Sequence, residues 1–130
     1  MVADTSALIA YLRAEPMAER VEAALLGARR VLISAATLVE ASIVAESLDE
    51  AHGRHHLDSM LQRLQAEVVP VTPEQADVAR YAYRQFGKGR HPARLNFGDC
   101  FSYALARVAG EPLLFVGDDF GRTDVEVAPC

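Results

Sequence analysis

Short apolar runs alternate along the chain with longer stretches in which apolar residues return every three or four positions. Val2-Ala3, Val31 to Ile33, Val68 to Val71, Leu113 to Val116 and Val125 to Val127 are brief, β-branched or leucine-rich, and bounded by polar or turn residues. That pattern predicts buried strands. Helical spacing predicts helices over Thr5 to Arg13, Pro16 to Leu26, Ala36 to Leu48, Glu50 to Leu64, Thr72 to Phe86 and Phe97 to Ala109. On the third of these, Leu38, Val39, Ser42, Ile43 and Ala45 are expected to share one side. On the fourth, Leu57, Met60, Leu61 and Leu64 form the stripe. Thr72-Pro73-Glu74-Gln75 reads as a helix start, with a capping hydroxyl, proline at the first position and glutamine at the third. Gly87-Lys88-Gly89 and Gly110 read as stops. Strands that alternate with helices imply a mostly parallel central sheet, here of about five strands, covered on both faces. The expected fold is a three-layer α/β/α domain.

Composition narrows this without changing it. The 130 residues, half of them apolar, suffice for one core and one domain over residues 1–130, with no internal repeat. The apolar stretch Ala7 to Leu12 lacks a preceding basic region and is far too short to span a bilayer, so a cytoplasmic protein with no membrane segment is expected. Cys100 and Cys130 have no metal-ligand spacing and form no disulfide framework.

Candidate chemistry lies in four acidic stations: Asp4 in V-A-D-T-S, Glu40 in T-L-V-E-A, Asp99 in N-F-G-D-C and Asp118-Asp119 in V-G-D-D-F. The first and last follow predicted strands, and the other two sit in the first turns of predicted helices. In a parallel sheet those positions gather along one edge. Carboxylates brought together there repel unless a cation holds them, and the hard ion that favours such oxygens is Mg²⁺ or Mn²⁺. Each acid also has a structural reading. Asp4 can cap the first helix, Glu40 can close a capping box with Thr37, and Asp99 stands three after Asn96 at a helix start. Asp118-Asp119 can be an acidic turn. Independent caps, however, have no reason to converge on one crevice.

The net charge of −5 argues against a nucleic-acid partner. Its distribution is uneven, because Arg80, Arg84, Lys88, Arg90 and Arg94 occur between Asp77 and Asp99 with no acid among them. A local cationic strip can hold a phosphate backbone on an acidic protein, although a solvated helix face running into a basic loop has the same composition. His52, His55, His56 and His91 do not form a catalytic pair. His52 and His56 have the i,i+4 spacing of metal ligands, but no further ligand follows.

V-A-D-T-S-A-L, Glu40 after S-A-A-T-L, N-F-G-D-C-F-S-Y-A-L-A and L-L-F-V-G-D-D-F-G-R-T-D-V stand in the order found in PIN-domain ribonucleases. Over essentially its whole length the chain resembles the VapC-type toxins of bacterial toxin–antitoxin pairs. The resemblance implies an Mg²⁺-dependent (or Mn²⁺-dependent) endoribonuclease acting on a structured RNA such as a tRNA. It implies Asp4, Asp99 and Asp118 as metal ligands, Glu40 as the third acid and Asp119 as a sharer with Asp118. Ser6, or Thr5, matches the polar residue that orients an acid or a water, with Thr5 placed toward the substrate beside Arg84, Lys88, Arg90 and Arg94. A threonine often stands in the family where Val116 is here, so a supporting hydrogen bond is missing from that side chain. A homodimer and a VapB-type antitoxin are the implied partners. The antitoxin's tail would lie against apolar walls from Leu57, Met60, Leu61 and Leu64 and from Ile43 and Val44. Hydrolysis would leave a 5′-phosphate and a 3′-hydroxyl.

Two rival classes share parts of this pattern. A receiver-type signalling domain has a similar size and an acidic Mg²⁺ pocket, but it needs a lysine beyond a late strand. The only lysine here is Lys88, in a loop after a helix. A PIN-fold binding module without activity would keep the fold, but has no need of every acidic station.

Overall fold

The computed structural model describes every residue from Met1 to Cys130. Four parallel strands, β1 (Val2–Ala3), β2 (Leu32–Ser34), β3 (Glu67–Val69) and β4 (Leu113–Leu114), lie in the order β3-β2-β1-β4. Val2 pairs with Leu32 on one side and with Leu113 on the other. Six helices connect and cover them: α1 (Thr5–Leu12), α2 (Ala18–Gly27), α3 (Ala35–Leu48), α4 (Gly53–Arg63), α5 (Pro73–Phe86) and α6 (Phe97–Ala109).

Alternation along the strands divides the core in two. Ala3, Ile33 and Leu114 pack with Leu8, Val21, Leu25, Leu57 and Met60 from α1, α2 and α4. Val2, Leu32 and Leu113 point to the opposite face, against Ala79 and Ala82 of α5 and Tyr103 and Ala106 of α6. This is the three-layer arrangement the strand–helix alternation predicts. The order 3-2-1-4 is not the 2-1-3-4-5 order of receiver-type sheets, which removes that rival.

The differences from expectation have local causes. β4 stops at Leu114 because the backbone turns toward α1, where the Val116 N–H donates to Ser6 Oγ (3.0 Å) and not to a strand partner. The expected fifth strand shrinks to a single bridge between Leu113 and Val127, and the Val125 N–H is taken by the Thr123 hydroxyl. α4 begins only at Gly53. On α3 the buried positions are Thr37, Ala41 and Ala45, while Val39 and Ile43 are exposed at 59% and 60%. The apolar stripe read for α3 therefore mixes a core face with an open one. Small residues face inward there, because α1, α4 and α6 all pack closely on this helix. Leu57, Met60 and Leu61 of α4 are core, so they form no open wall.

The caps of α1, α5 and α6 are those the sequence suggests, whereas α3 is capped by Ser34 and not by Thr37. Asp4 caps α1, Ser34 caps α3 and Thr72 caps α5, accepting from the Gln75 N–H (3.2 Å). α6 opens with a full capping box. Asn96 Oδ1 accepts from the Asp99 N–H (2.9 Å), and Asp99 Oδ2 accepts from the Asn96 N–H (2.9 Å). α6 closes at Gly110, whose φ of 66° suits glycine. No helix is long and apolar enough to cross a membrane.

Candidate active site

The acids collect at the carboxyl edge of the sheet. Asp4 follows β1 directly, and Glu40 lies in the second turn of α3, which follows β2. Asp118 and Asp119 lie in the exposed turn after β4, and Asp99 belongs to the first turn of α6.

Asp4, only 3% exposed, is held from both sides. Its Oδ2 accepts from the Ser6 N–H (3.0 Å) and from the Ser6 hydroxyl (2.7 Å), and its Oδ1 accepts from the Ser102 hydroxyl (2.6 Å). Ser102 is fully buried and lies 3.1 Å from the Thr37 hydroxyl. Since the Ser102 proton is committed to Asp4, Thr37 is the donor in that pair. The chain Thr37–Ser102–Asp4 joins α3, α6 and β1. Ser6 in turn accepts from the Val116 backbone, so a main-chain N–H from the β4 end supplies the bond that the Val116 side chain cannot.

Glu40 does not close a capping box with Thr37, whose hydroxyl faces Ser102. Its Oε1 accepts from the Thr5 hydroxyl (2.5 Å). Thr5 is itself buried, and its single proton is spent on Glu40, so its hydroxyl points into the acid cluster and not out toward a ligand. Asp99 carries the strongest electrostatic mark. Its pKa is pushed up to about 7 from 3.8, first by burial, then by the charges of Asp4, Asp119 and Glu40, while the Asn96 N–H opposes the shift. Of the doubled aspartate, Asp119 and not Asp118 is among the carboxylates whose charges raise Asp99. None of these five acids has an arginine or lysine in an ion pair with it. No three His, Cys, Asp or Glu side chains stand close enough together to ligate one metal ion directly.

The cationic strip divides. Arg84 and Arg90 line a shallow cleft with Arg80 and Tyr83. Lys88 belongs instead to an apolar groove of about 530 Å³ between α5 and the start of α6, beside Asn96, Phe97, Cys100 and Phe101. That groove adjoins the Asp99 turn. Arg94 is exposed and lines neither, and Arg80 is paired with Asp77 (3.2 Å). His52, His55 and His56 are exposed along the start of α4, and His52 faces Asp49. Burial pushes the Cys100 thiol up to about 11, which leaves it a packed, unreactive group.

A sequence model of the PIN domain matches residues 1–126. Ribonuclease VapC30 of Mycobacterium tuberculosis is 51% identical over 125 residues, covering 96% of this chain and 95% of the relative. The chain belongs to the VapC ribonucleases of the PIN-domain family. A ribonuclease VapC of Mycolicibacterium smegmatis is 52% identical over 125 residues, covering 96% of this chain and 97% of that protein. Among solved structures, M. tuberculosis VapC20, a sarcin-ricin-loop-cleaving toxin, superposes with a TM-score of 0.74 at 20% identity, covering 98% of each chain. A toxin–antitoxin complex from Klebsiella pneumoniae gives 0.75 at 18% identity, covering 99% of this chain and 97% of that one. These two likenesses speak to the fold of this VapC-type PIN domain.

Two groups of site residues escaped sequence reasoning. Ser102 and Thr37 are 65 residues apart, and each looks like an ordinary small helix residue. The one available signal was a hydroxyl within an otherwise apolar helical face, at Ser102 in C-F-S-Y-A-L-A. Gly98 is the other, and its signal is a glycine inside a helix.

Proposed function

We propose that this chain is an endoribonuclease toxin that hydrolyses RNA phosphodiester bonds with Mg²⁺ or Mn²⁺. The observation that carries the reading is Asp99. It is a carboxylate held near neutrality by burial and by three other acids, with no cation of the protein to offset them. The donor set suits a divalent ion in its chemistry: all the groups are hard oxygens, and an ion such as Mg²⁺ keeps several of its waters between itself and such groups. Asp4, Asp99 and Asp119 would hold it, directly or through water, with Glu40 as the further acid. When bound, such an ion lowers the pKa of a coordinated water and steadies charge on the leaving oxygen.

The residues themselves do the rest. Ser6 and Ser102 fix both oxygens of Asp4, so its carboxylate cannot rotate away. Thr5 fixes Oε1 of Glu40. Asn96 holds Oδ2 of Asp99 through its N–H, and no protein donor takes Oδ1. Lys88, beside the Asp99 turn, and Arg84 with Arg90 further out, would grip the phosphates of the strand. A structured RNA such as a tRNA is the expected substrate on the strength of family membership.

Neutralisation by a VapB-type antitoxin follows from the same charges. An unpaired acid cluster attracts an arginine guanidinium as it attracts a metal. Val39 and Ile43, open on α3, provide apolar surface for that partner or for a second copy in a homodimer. The test is incubation of the purified chain with total RNA, with Mg²⁺ or with excess chelator, followed by mapping of the cut ends. Cuts that need the metal and leave a 5′-phosphate and a 3′-hydroxyl are expected. Cleavage that persists in chelator, or ends carrying a 2′,3′-cyclic phosphate, would reject this chemistry. Metal binding without any cleavage would leave the inactive binding module.

A further inference from the structure

Gly98, one residue before Asp99, lies in the first turn of α6, where alanine would favour the helix more. Its φ is not positive, so the backbone does not require glycine. Space does. A Cβ at this position would overlap Glu40 Oε2 and stand 2.6 Å from Glu40 Cδ and 2.8 Å from Oε1. Non-bonded carbon atoms settle at about 3.5–4.0 Å, so a shift on the order of 1 Å would be forced. The three nearest atoms all belong to the end of one long side chain, so the carboxylate would yield and the backbone would not.

From the other side the Thr5 hydroxyl holds Oε1 at 2.5 Å. Glu40 is thus set between a donor on α1 and a gap on α6. We propose that Gly98 is a positioning residue: its missing side chain lets the Glu40 carboxylate lie against the start of α6, beside Asp99. This rests on the reading of Glu40 as a member of the site. Any larger residue at 98 would lift Glu40 off Thr5 and away from the shared ion. A displacement of 1 Å in a catalytic constellation can cost about 10²-fold in rate.

The experiment compares wild type with Gly98→Ala, Glu40→Gln, Glu40→Asp and the Gly98→Ala/Glu40→Asp double variant. Metal-free denaturation, Mn²⁺ binding by electron paramagnetic resonance and RNA cleavage are read for each. Gly98→Ala is expected to fold with undiminished stability, to bind Mn²⁺ about tenfold more weakly and to cleave about 10²-fold more slowly. In the Glu40→Asp background the shorter acid leaves room for the methyl group, so adding Gly98→Ala there should cost much less than in wild type. Four results would overturn the proposal. They are wild-type binding and cleavage in Gly98→Ala while Glu40→Gln is impaired, an equal penalty in both backgrounds, loss of folding in Gly98→Ala, and wild-type behaviour of Glu40→Gln. Only the last also removes Glu40 from the site, so the two failures are distinguishable.

Discussion

Asp99 unites two readings that look like rivals in the sequence. Its Oδ2 closes the capping box of α6, and its charge stands among three other carboxylates. Helix start and acid site are one arrangement, because the cap fixes the rotamer that aims the carboxyl group. The raised pKa has a consequence for stability. The fold retains a proton on Asp99 up to about pH 7, whereas an unperturbed carboxyl releases it near 3.8. Between those values the folded state binds more protons, so stability of the metal-free protein falls as pH rises through that window. Asp99→Asn removes this contribution. Its metal-free melting temperature should exceed that of the parent above pH 7, with the difference closing toward pH 4, and cleavage should be lost. A difference that grows on acidification would contradict the assigned shift. Ser102 gives a second prediction. Ser102→Ala leaves the buried Thr37 hydroxyl without its acceptor and frees one oxygen of Asp4. A loss of about 1–3 kcal/mol is expected in urea denaturation, and a double variant with Thr37→Val should recover part of it. This pair was not legible from the chain, because a hydrogen bond between residues 65 apart leaves no local pattern.

Among the elements, those with a terminal signal were readable. Thr72-Pro73, Asn96 and Gly110 set the ends of α5 and α6 through local chemistry that sequence shows directly. α3 was readable as a helix but not in its orientation. Thr37, Ala41 and Ala45 are buried because neighbouring helices come close, and small residues give little hydrophobic signal for that. The side expected to carry Leu38, Val39, Ser42, Ile43 and Ala45 together is split, with Ala45 in the core and Val39 and Ile43 open. The strand after η1 (Phe120–Arg122) failed for a similar reason, since Thr123 takes the Val125 N–H and no ladder can extend. The cationic strip on and after α5 divides between a cleft holding Arg84 and Arg90 and a groove holding Lys88. Replacing these three with glutamine should weaken RNA binding by a non-cleaving Asp99→Asn chain. The slope of log affinity against log salt should fall by about 2, from three phosphate contacts on a single strand. Metal affinity should stay as it was. An unchanged slope would make the strip a solvated face.

At the scale of the whole molecule, a parallel sheet explains how an acidic chain acquires one local site. β1 and β4 deliver Asp4 and Asp119 to one edge, α3 after β2 delivers Glu40, and α6, which follows α5, brings its first turn near them. Asp4, Glu40 and Asp119 therefore meet Asp99 although 115 residues separate the first from the last. The places of Asp4 after β1 and of Asp118-Asp119 after β4 were legible from strand–helix alternation, whereas that of Asp99 was not, because α6 follows α5 and not a strand. The choice between Asp118 and Asp119 was not, because it depends on how the turn after β4 is wound. On the proposed reading these acids hold one divalent ion together. Calorimetric titration of Mn²⁺ into the metal-free chain and into Asp4→Asn, Glu40→Gln, Asp99→Asn, Asp119→Asn and Asp118→Asn tests that most directly. Saturable binding to the parent is expected, weakened at least about tenfold by each of the first four substitutions and kept by Asp118→Asn. No saturable binding to the parent, or equal affinity in all five variants, would contradict that reading.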